Sequence, residues 1–213
     1  SSAASDVYKR QYINWGYEAV GRFENWEQIA TYPVDIDRKG NRTVVPGDII
    51  YKDVNGDGVI NFMDERPIGY RQDGTPNLNF GINLSASWKG FDLSMDWTGS
   101  GMTSWMQQWE TARPFQNDGN SPGEVLNNSW HLADVWDADS ELIPGKYPLI
   151  RMNNAETSAY DKSTFWLHNV HYIKLRNLEF GYTLPKIWLA KSGISNLRVY
   201  LSGTNLLTLT NVP

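Results

Sequence analysis

The chain has 213 residues, with 19 basic and 24 acidic side chains for a net charge of -5 and 40% apolar residues, an ordinary globular balance that argues against disorder, a coiled coil and a nucleic-acid binder. It has no cysteine, which excludes a disulfide framework, a Cys-ligated zinc site and a thiol nucleophile. The mean hydropathy is -0.50 and no run approaches the about eighteen apolar residues that a spanning helix needs, so a helical membrane protein is excluded while a membrane β-barrel is not.

Residues Ser1 to Gln11, SSAASDVYKRQ, resemble the read-through of a sequencing adapter found at the ends of metagenomic assemblies, and are expected to be a non-native tail. The domain reading starts at residue 12 and runs to 213. From Tyr12 onward there is neither a basic n-region nor an apolar h-region. A short helix is predicted at Trp26 to Thr31, stopped by Pro33, with an RKGN turn at Arg38 to Asn41.

The segment Asp53 to Asp64, DVNGDGVINFMD, carries the most specific chemistry. It places oxygen donors at loop positions 1, 3, 5, 9 and 12 as Asp53, Asn55, Asp57, Asn61 and Asp64, with Gly58 at the sharp turn and the Val59 carbonyl at position 7. Calcium takes six to eight hard oxygens, and this spacing wraps them round one ion. Asp64 stands where a longer Glu normally reaches bidentately, and no amphipathic helix flanks the loop. The expectation is a structural Ca2+ site, not a sensor switch. The competing reading is an Asp/Asn/Gly-rich turn held by its own side chains.

Period-2 alternation is clearest at Leu78, Phe80, Ile82, Leu84, Ala86 and Trp88, and it resumes after Lys89-Gly90 with Phe91, Leu93, Met95 and Trp97. This predicts a β-hairpin. Its first strand has the length of a tilted transmembrane strand, and Trp88 and Trp97 close the apolar runs where aromatic girdles sit. Periodicity alone leaves a half-buried hairpin of a soluble sandwich equally open. A polar, irregular loop rich in Asn, Asp, Pro and Trp follows from about 99 to 162, against a two-residue turn before it, and that asymmetry is typical of outer-membrane barrels. A second hairpin is expected from Tyr172 to Leu184 and from Leu197 to Leu207. The apolar phase flips near Arg176-Asn177, which calls for a β-bulge. Between its strands, Pro185 and Gly193 bracket a helical turn, KIWLAKS. Four strands do not close a barrel alone.

The sequence offers little for catalysis. His131 lies near Asp134, Asp137 and Asp139, but such a mixed loop reads as solvated surface, and there is no phosphate-binding glycine loop. No catalytic residue is assigned and no enzyme is expected. The tryptophans of the long loop, Trp105, Trp109, Trp130 and Trp136, are candidate ligand-binding residues, since indoles stack on sugar faces or anchor a partner; the plainer reading is that they pin the loop to itself or to the barrel rim.

Five separated motifs now acquire a common meaning: GYEAVGRF at Gly16 to Phe23, PGDIIYKDVNGDGVIN at Pro46 to Asn61, RPIGY at Arg66 to Tyr70, YIKLRNLEFGYTLP at Tyr172 to Pro185 and NLRVYLSGTNLLTLTN at Asn196 to Asn211. Together they resemble the C-terminal region of SusC/RagA-like TonB-dependent outer-membrane transporters. The resemblance implies an all-β fold, part of a plugged 22-stranded transmembrane antiparallel barrel with long extracellular loops. It implies import of glycans or peptides across the outer membrane of a Gram-negative, Bacteroidota-like cell. The implied partners are a SusD-like surface lipoprotein, TonB acting through an N-terminal region upstream of this chain, an oligosaccharide or peptide substrate and outer-membrane lipid, with no nucleic acid. The calcium loop and the long loop would lie on the extracellular side. The alternative is a secreted calcium-dependent carbohydrate-binding or dockerin-like module, although a dockerin needs two such loops and this chain has one.

Overall fold

The computed structural model describes residues 13–71, 75–151 and 157–211; the suspected adapter tail lies outside them. Ten strands and three short helices follow in order: β1 (Ile13–Gly16), β2 (Ala19–Arg22), α1 (Trp26–Thr31), β3 (Ile49–Tyr51), β4 (Arg66–Arg71), β5 (Leu78–Trp88), β6 (Phe91–Met106), α2 (Gly123–Asn127), β7 (His131–Leu132), β8 (Leu142–Ile143), β9 (Leu167–Thr183), α3 (Lys186–Leu189) and β10 (Arg198–Thr210). Among the described residues no helix is long and apolar enough to cross a membrane, which says nothing of a barrel. The described residues form two compact units, one drawn from 1–73 and 104–168 and the other from 74–103 and 169–213.

The first unit folds around an ordinary core. Small antiparallel pairs, β1 with β4 and β2 with β3, carry the apolar residues inward. Phe23, Ile36, Ile49 and Ile60 are fully buried, and so are the rings of Tyr51 and Trp166 within a few per cent. The polar ends of those rings are satisfied: the Tyr51 hydroxyl donates to the Ser158 carbonyl at 2.7 Å and the Trp166 indole to the Ala159 carbonyl at 2.9 Å. α1 starts where expected because Asn25 caps it, its side chain accepting from the Gln28 N–H at 2.9 Å.

A buried ion pair closes this unit. Asp48 is fully buried, accepts from Arg151 at 2.7 Å and from the Val45 N–H at 3.0 Å, while Arg151 also donates to the Thr43 carbonyl at 2.9 Å and the Thr157 hydroxyl at 2.7 Å. Nearby, Arg22 donates to the carbonyls of Gly47, Gly145 and Lys146 and lies 5.6 Å from the Trp130 ring. The two arginines thus tie the long loop to the segment around β2 and β3. The loop is shorter than the polar composition suggests, since β6 continues through Met106.

The second unit is a four-stranded sheet in the order β10-β9-β6-β5. β5 and β6 pair in unbroken antiparallel register from Leu78 opposite Gly101 to Trp88 opposite Phe91. The predicted alternation is borne out: Leu78, Phe80, Ile82, Leu84 and Trp88 share a face with Phe91, Leu93, Met95 and Trp97, and the Phe80 ring lies over Gly99, where a Cβ would collide with it. Yet on β5 this apolar face is exposed, as are all eleven residues of that strand, while Leu93, Met95 and Trp97 on β6 are half-buried. The opposite face is polar and carries an ion network in which Arg198 pairs with both Asp92 and Glu179, and Asn177 donates to Asp96 at 3.0 Å.

The phase flip expected near Arg176-Asn177 is present and shared between two strands. Phe91 stacks on Phe180 and Tyr182, whereas at the other end His171 lies beside Gly101, so the apolar face takes even residues of β9 at one end and odd residues at the other. In the β9–β10 ladder the register shifts between Thr204 and Leu207, next to Asn205 with φ of +55°. One irregularity therefore keeps one face apolar along two long strands.

Candidate functional site

The loop from Asp53 to Asp64 is folded chiefly by its own acidic side chains. Asp53 accepts from the N–H of Gly56 at 2.6 Å and of Gly58 at 2.8 Å. Gly58 sits at φ of +81°, a conformation that costs glycine little and a side-chain-bearing residue more, so the turn residue of the spacing has its physical reason. Asp57 is exposed; the Val59 N–H at 2.9 Å and then the Asn55 amide hold its carboxyl below the ordinary carboxylate range. Asn61 caps a short helical turn at Phe62–Asp64 and reaches Asp57 and the Val59 carbonyl through its amide nitrogen.

Asp64 is the unusual member. It is fully buried and accepts from the N–H groups of Val54, Asn55 and Asn61, and among the described residues no cationic side chain pairs with it. Asp53, Asp57 and Asp64 each offer a carboxylate oxygen, all within 4.8 Å of one another. The donor set is all oxygen and strongly negative, which suits a hard divalent cation. The residues present therefore fit calcium in chemistry and in proximity.

The four loop tryptophans are not brought together. Trp105, 40% exposed, stacks on His168 with ring centroids 5.6 Å apart. Trp109 is 59% exposed and lines a cavity of about 200 Å³ with Arg113, Tyr160, Asp161, Lys162 and Trp166. Trp130 is buried against Gly47, whose Cβ, if present, would lie 2.6 Å from the indole. Trp136 is almost fully exposed on the turn between β7 and β8. In the cavity, burial raises the Asp161 carboxyl against the pull of Arg38, which lies 3.2 Å away. Of the histidines near acids, His131 has its ring nitrogen 3.0 Å from the Ser129 carbonyl.

Two features escaped the sequence reading. The Asp48–Arg151 pair joins residues about a hundred positions apart, and the Arg198–Asp92–Glu179 network depends on which strands are neighbours. Neither has a local signature. Single acids and arginines on alternating strands are common on any solvated face.

Comparison with known proteins gives these features a setting. No family model matches the chain. Among curated proteins it is similar to three from Formosa agariphila. TonB-dependent receptor P3 is 28% identical over 200 residues, covering 92% of this chain and 18% of that protein. TonB-dependent receptor P26 is 27% identical over 176 residues, covering 81% and 16%. TonB-dependent receptor P39 is 27% identical over 188 residues, covering 84% and 17%. The chain therefore spans less than a fifth of the length of the curated relatives it matches. Among solved structures it is similar to the RagAB peptide importer in its open-open state, with a TM-score of 0.53 and 20% identity over 93% of this chain and 19% of that one. The closed-closed state matches with a TM-score of 0.53 at 22% identity. These relatives are receptors and importers rather than enzymes. The relatives of this chain are thus TonB-dependent receptors, and its all-β fold is similar to one segment of the RagAB importer's barrel.

Proposed function

We propose that this chain is a wall segment of a TonB-dependent outer-membrane importer of oligosaccharides or peptides. The observation that carries the reading is the inverted sheet: β5, β6, β9 and β10 present a continuous apolar face outward and an ion-paired polar face on the other side. Water does not stabilise such an arrangement, whereas a barrel wall between hydrocarbon and a polar lumen requires it. The edge strands β5 and β10 each have a partner on one side only within this sheet, as segments of a larger barrel would. Energy transfer from TonB and capture by a SusD-like lipoprotein belong to the reading through the receptor resemblance. The RagAB importer is described as transporting peptides, which keeps the peptide arm of the reading beside the glycan arm.

Within that reading the loop at Asp53, Asn55, Asp57, Val59, Asn61 and Asp64 holds a structural calcium ion with the modest affinity of extracellular modules, on the order of 10⁻⁴ to 10⁻³ M. The buried, cation-less carboxylate of Asp64 supports it. Asp53, Asp57 and Asp64 would hold the ion, whose two positive charges would offset most of their three negative ones and so steady the turn before β4. Trp109 is the best placed of the tryptophans to meet a ligand, since its indole is exposed at a cavity rim, whereas Trp130 is packing.

The test is genetic. Deleting the gene of the full receptor should abolish growth of its host on either an oligosaccharide or a peptide mixture while sparing growth on the corresponding monomers, and the restored wild-type gene should rescue it. Undiminished growth on both polymer classes would overturn the importer reading. Trp109→Ala in the rescuing gene should slow uptake with barrel assembly unchanged.

A further inference from the structure

The second unit has one end at which apolar and cationic side chains accumulate without any visible cover. There the Lys89-Gly90 turn and the β9–β10 connection lie together: the Thr183 N–H donates to the Gly90 carbonyl at 2.7 Å and the Leu184 N–H to the Leu197 carbonyl at 2.9 Å. The connection holds α3, a single turn whose Leu189 is buried while Ile187 and Trp188 are 81% and 67% exposed. Trp88, at the end of β5, is 68% exposed, and the Lys89 ammonium sits 4.8 Å from the centre of its ring. Lys186 opens the helical turn and Lys191 follows it, no acidic residue occurs from Leu184 to Leu197, and neither lysine is ion-paired among the described residues.

A turn exposed to water gains nothing by placing Ile and Trp at its most accessible positions. The same composition is what the boundary between hydrocarbon and lipid headgroups selects: an indole with an apolar body and one polar N–H, an aliphatic neighbour, and long cationic chains that reach phosphate. The patch also continues the apolar face of the sheet, from Trp88 and Phe91 towards α3.

We propose that α3, with the Trp88-Lys89 turn, is an interfacial anchor that sets Ile187 and Trp188 into the phospholipid leaflet at this end of the barrel, with Lys186, Lys191 and Lys89 against lipid phosphates. The inference rests on the reading of the sheet as a membrane wall and adds a specific contact to it. Its occupant is an anionic phospholipid surface. The charge of the patch and its continuity with the lipid-facing sheet favour that surface over a protein partner.

The experiment uses the full receptor reconstituted in vesicles of phosphatidylethanolamine and phosphatidylglycerol, carrying a nitroxide at Ile187→Cys. Collision of the label with oxygen should exceed collision with a water-soluble nickel chelate several-fold. Preference for nickel would overturn the anchor, and shielding from both reagents would do the same by showing protein cover. A label at Leu84→Cys, in the middle of β5, separates this from the reading beneath it. Oxygen preference at Leu84 with nickel preference at Ile187 sinks only the anchor, whereas nickel preference at Leu84 sinks the membrane wall. In a second arm, replacing phosphatidylglycerol with phosphatidylcholine should make the label at Ile187 shallower in the otherwise wild-type receptor, and K186Q/K191Q should remove that dependence. Equal depth in both lipids would overturn the choice of an anionic phospholipid surface as the occupant.

Discussion

The two units of this chain solve opposite problems with similar residues. In the first, Phe23, Ile36, Ile49, Ile60 and Trp166 are withdrawn from the surface and their polar atoms paired. In the second, Leu78, Phe80, Ile82, Leu84, Val199 and Leu201 stand exposed on a regular sheet. The burial of apolar area is worth about 25 cal/mol per Å² in water, so the first unit is stabilised by its core and the second is not. What the contrast teaches is that solvent is part of the fold: the first unit hides its apolar residues from water, and the second leaves those of its outer strands exposed, as the proposed membrane wall would require.

The sharpest way to break the comparison is to strike the core of the first unit. Arg151→Ala strands the buried carboxylate of Asp48 and should cost about 3 to 5 kcal/mol, seen as early unfolding and faster amide exchange in residues 13–71 with the sheet unchanged. The complementary blow is Leu84→Arg on the apolar face of β5. In vesicles it should destabilise the barrel by about 2 to 4 kcal/mol, whereas Ser85→Arg on the polar face should cost little in the same folding assay. Equal effects at the two positions would remove the distinction between the faces.

Acid should discriminate the units as well. Burial alone would raise the Asp37 carboxyl, but the Thr43 N–H and hydroxyl and the Lys39 N–H outweigh it and bring its pKa down to about 2. A depressed carboxylate contributes stability that is present above its unfolded-state value of 3.8 and is lost as pH falls through about 2. Over that window the first unit should lose about 2 kcal/mol, and Asp37→Asn should flatten the dependence in a pH series of thermal unfolding. The smallest effect expected is that of calcium. At about tenfold over its dissociation constant it should stabilise the first unit by about 1 to 2 kcal/mol, and Asp57→Ala should abolish the gain without moving the calcium-free midpoint much. A midpoint insensitive to millimolar calcium would return the loop to a self-satisfied turn.

Much of the sheet was legible in the sequence. The run from Leu78 to Trp88 is observed with those bounds, and the helix at Trp26 to Thr31 follows from its Asn cap. β6 was harder: beyond Thr98 it runs through Gly, Ser and Thr, with no apolar period to announce it, and extends to Met106. Its first part there is held by pairing with β5, where Phe80 covers Gly99. The flip near Arg176 was visible as a broken period, but the matching irregularity at Asn205 was not, because it serves to keep β10 in step with its neighbour. Among site residues, the calcium spacing placed three carboxylates together, as the spacing requires, while the four tryptophans shared only a loop and were dispersed by the fold.

The sequence by itself determined what nearest neighbours decide: strand periodicity, the cap of α1, the left-handed glycine of the acidic loop and the alternation of apolar with polar faces. Those follow from backbone sterics and side-chain spacing within a few residues. Only the tertiary structure decided which acids meet which arginines, which tryptophan is buried, and that the apolar residues of β5 and β10 are left exposed. Those depend on contacts between residues as far as 123 positions apart, and on a surrounding medium that no local pattern of residues can specify.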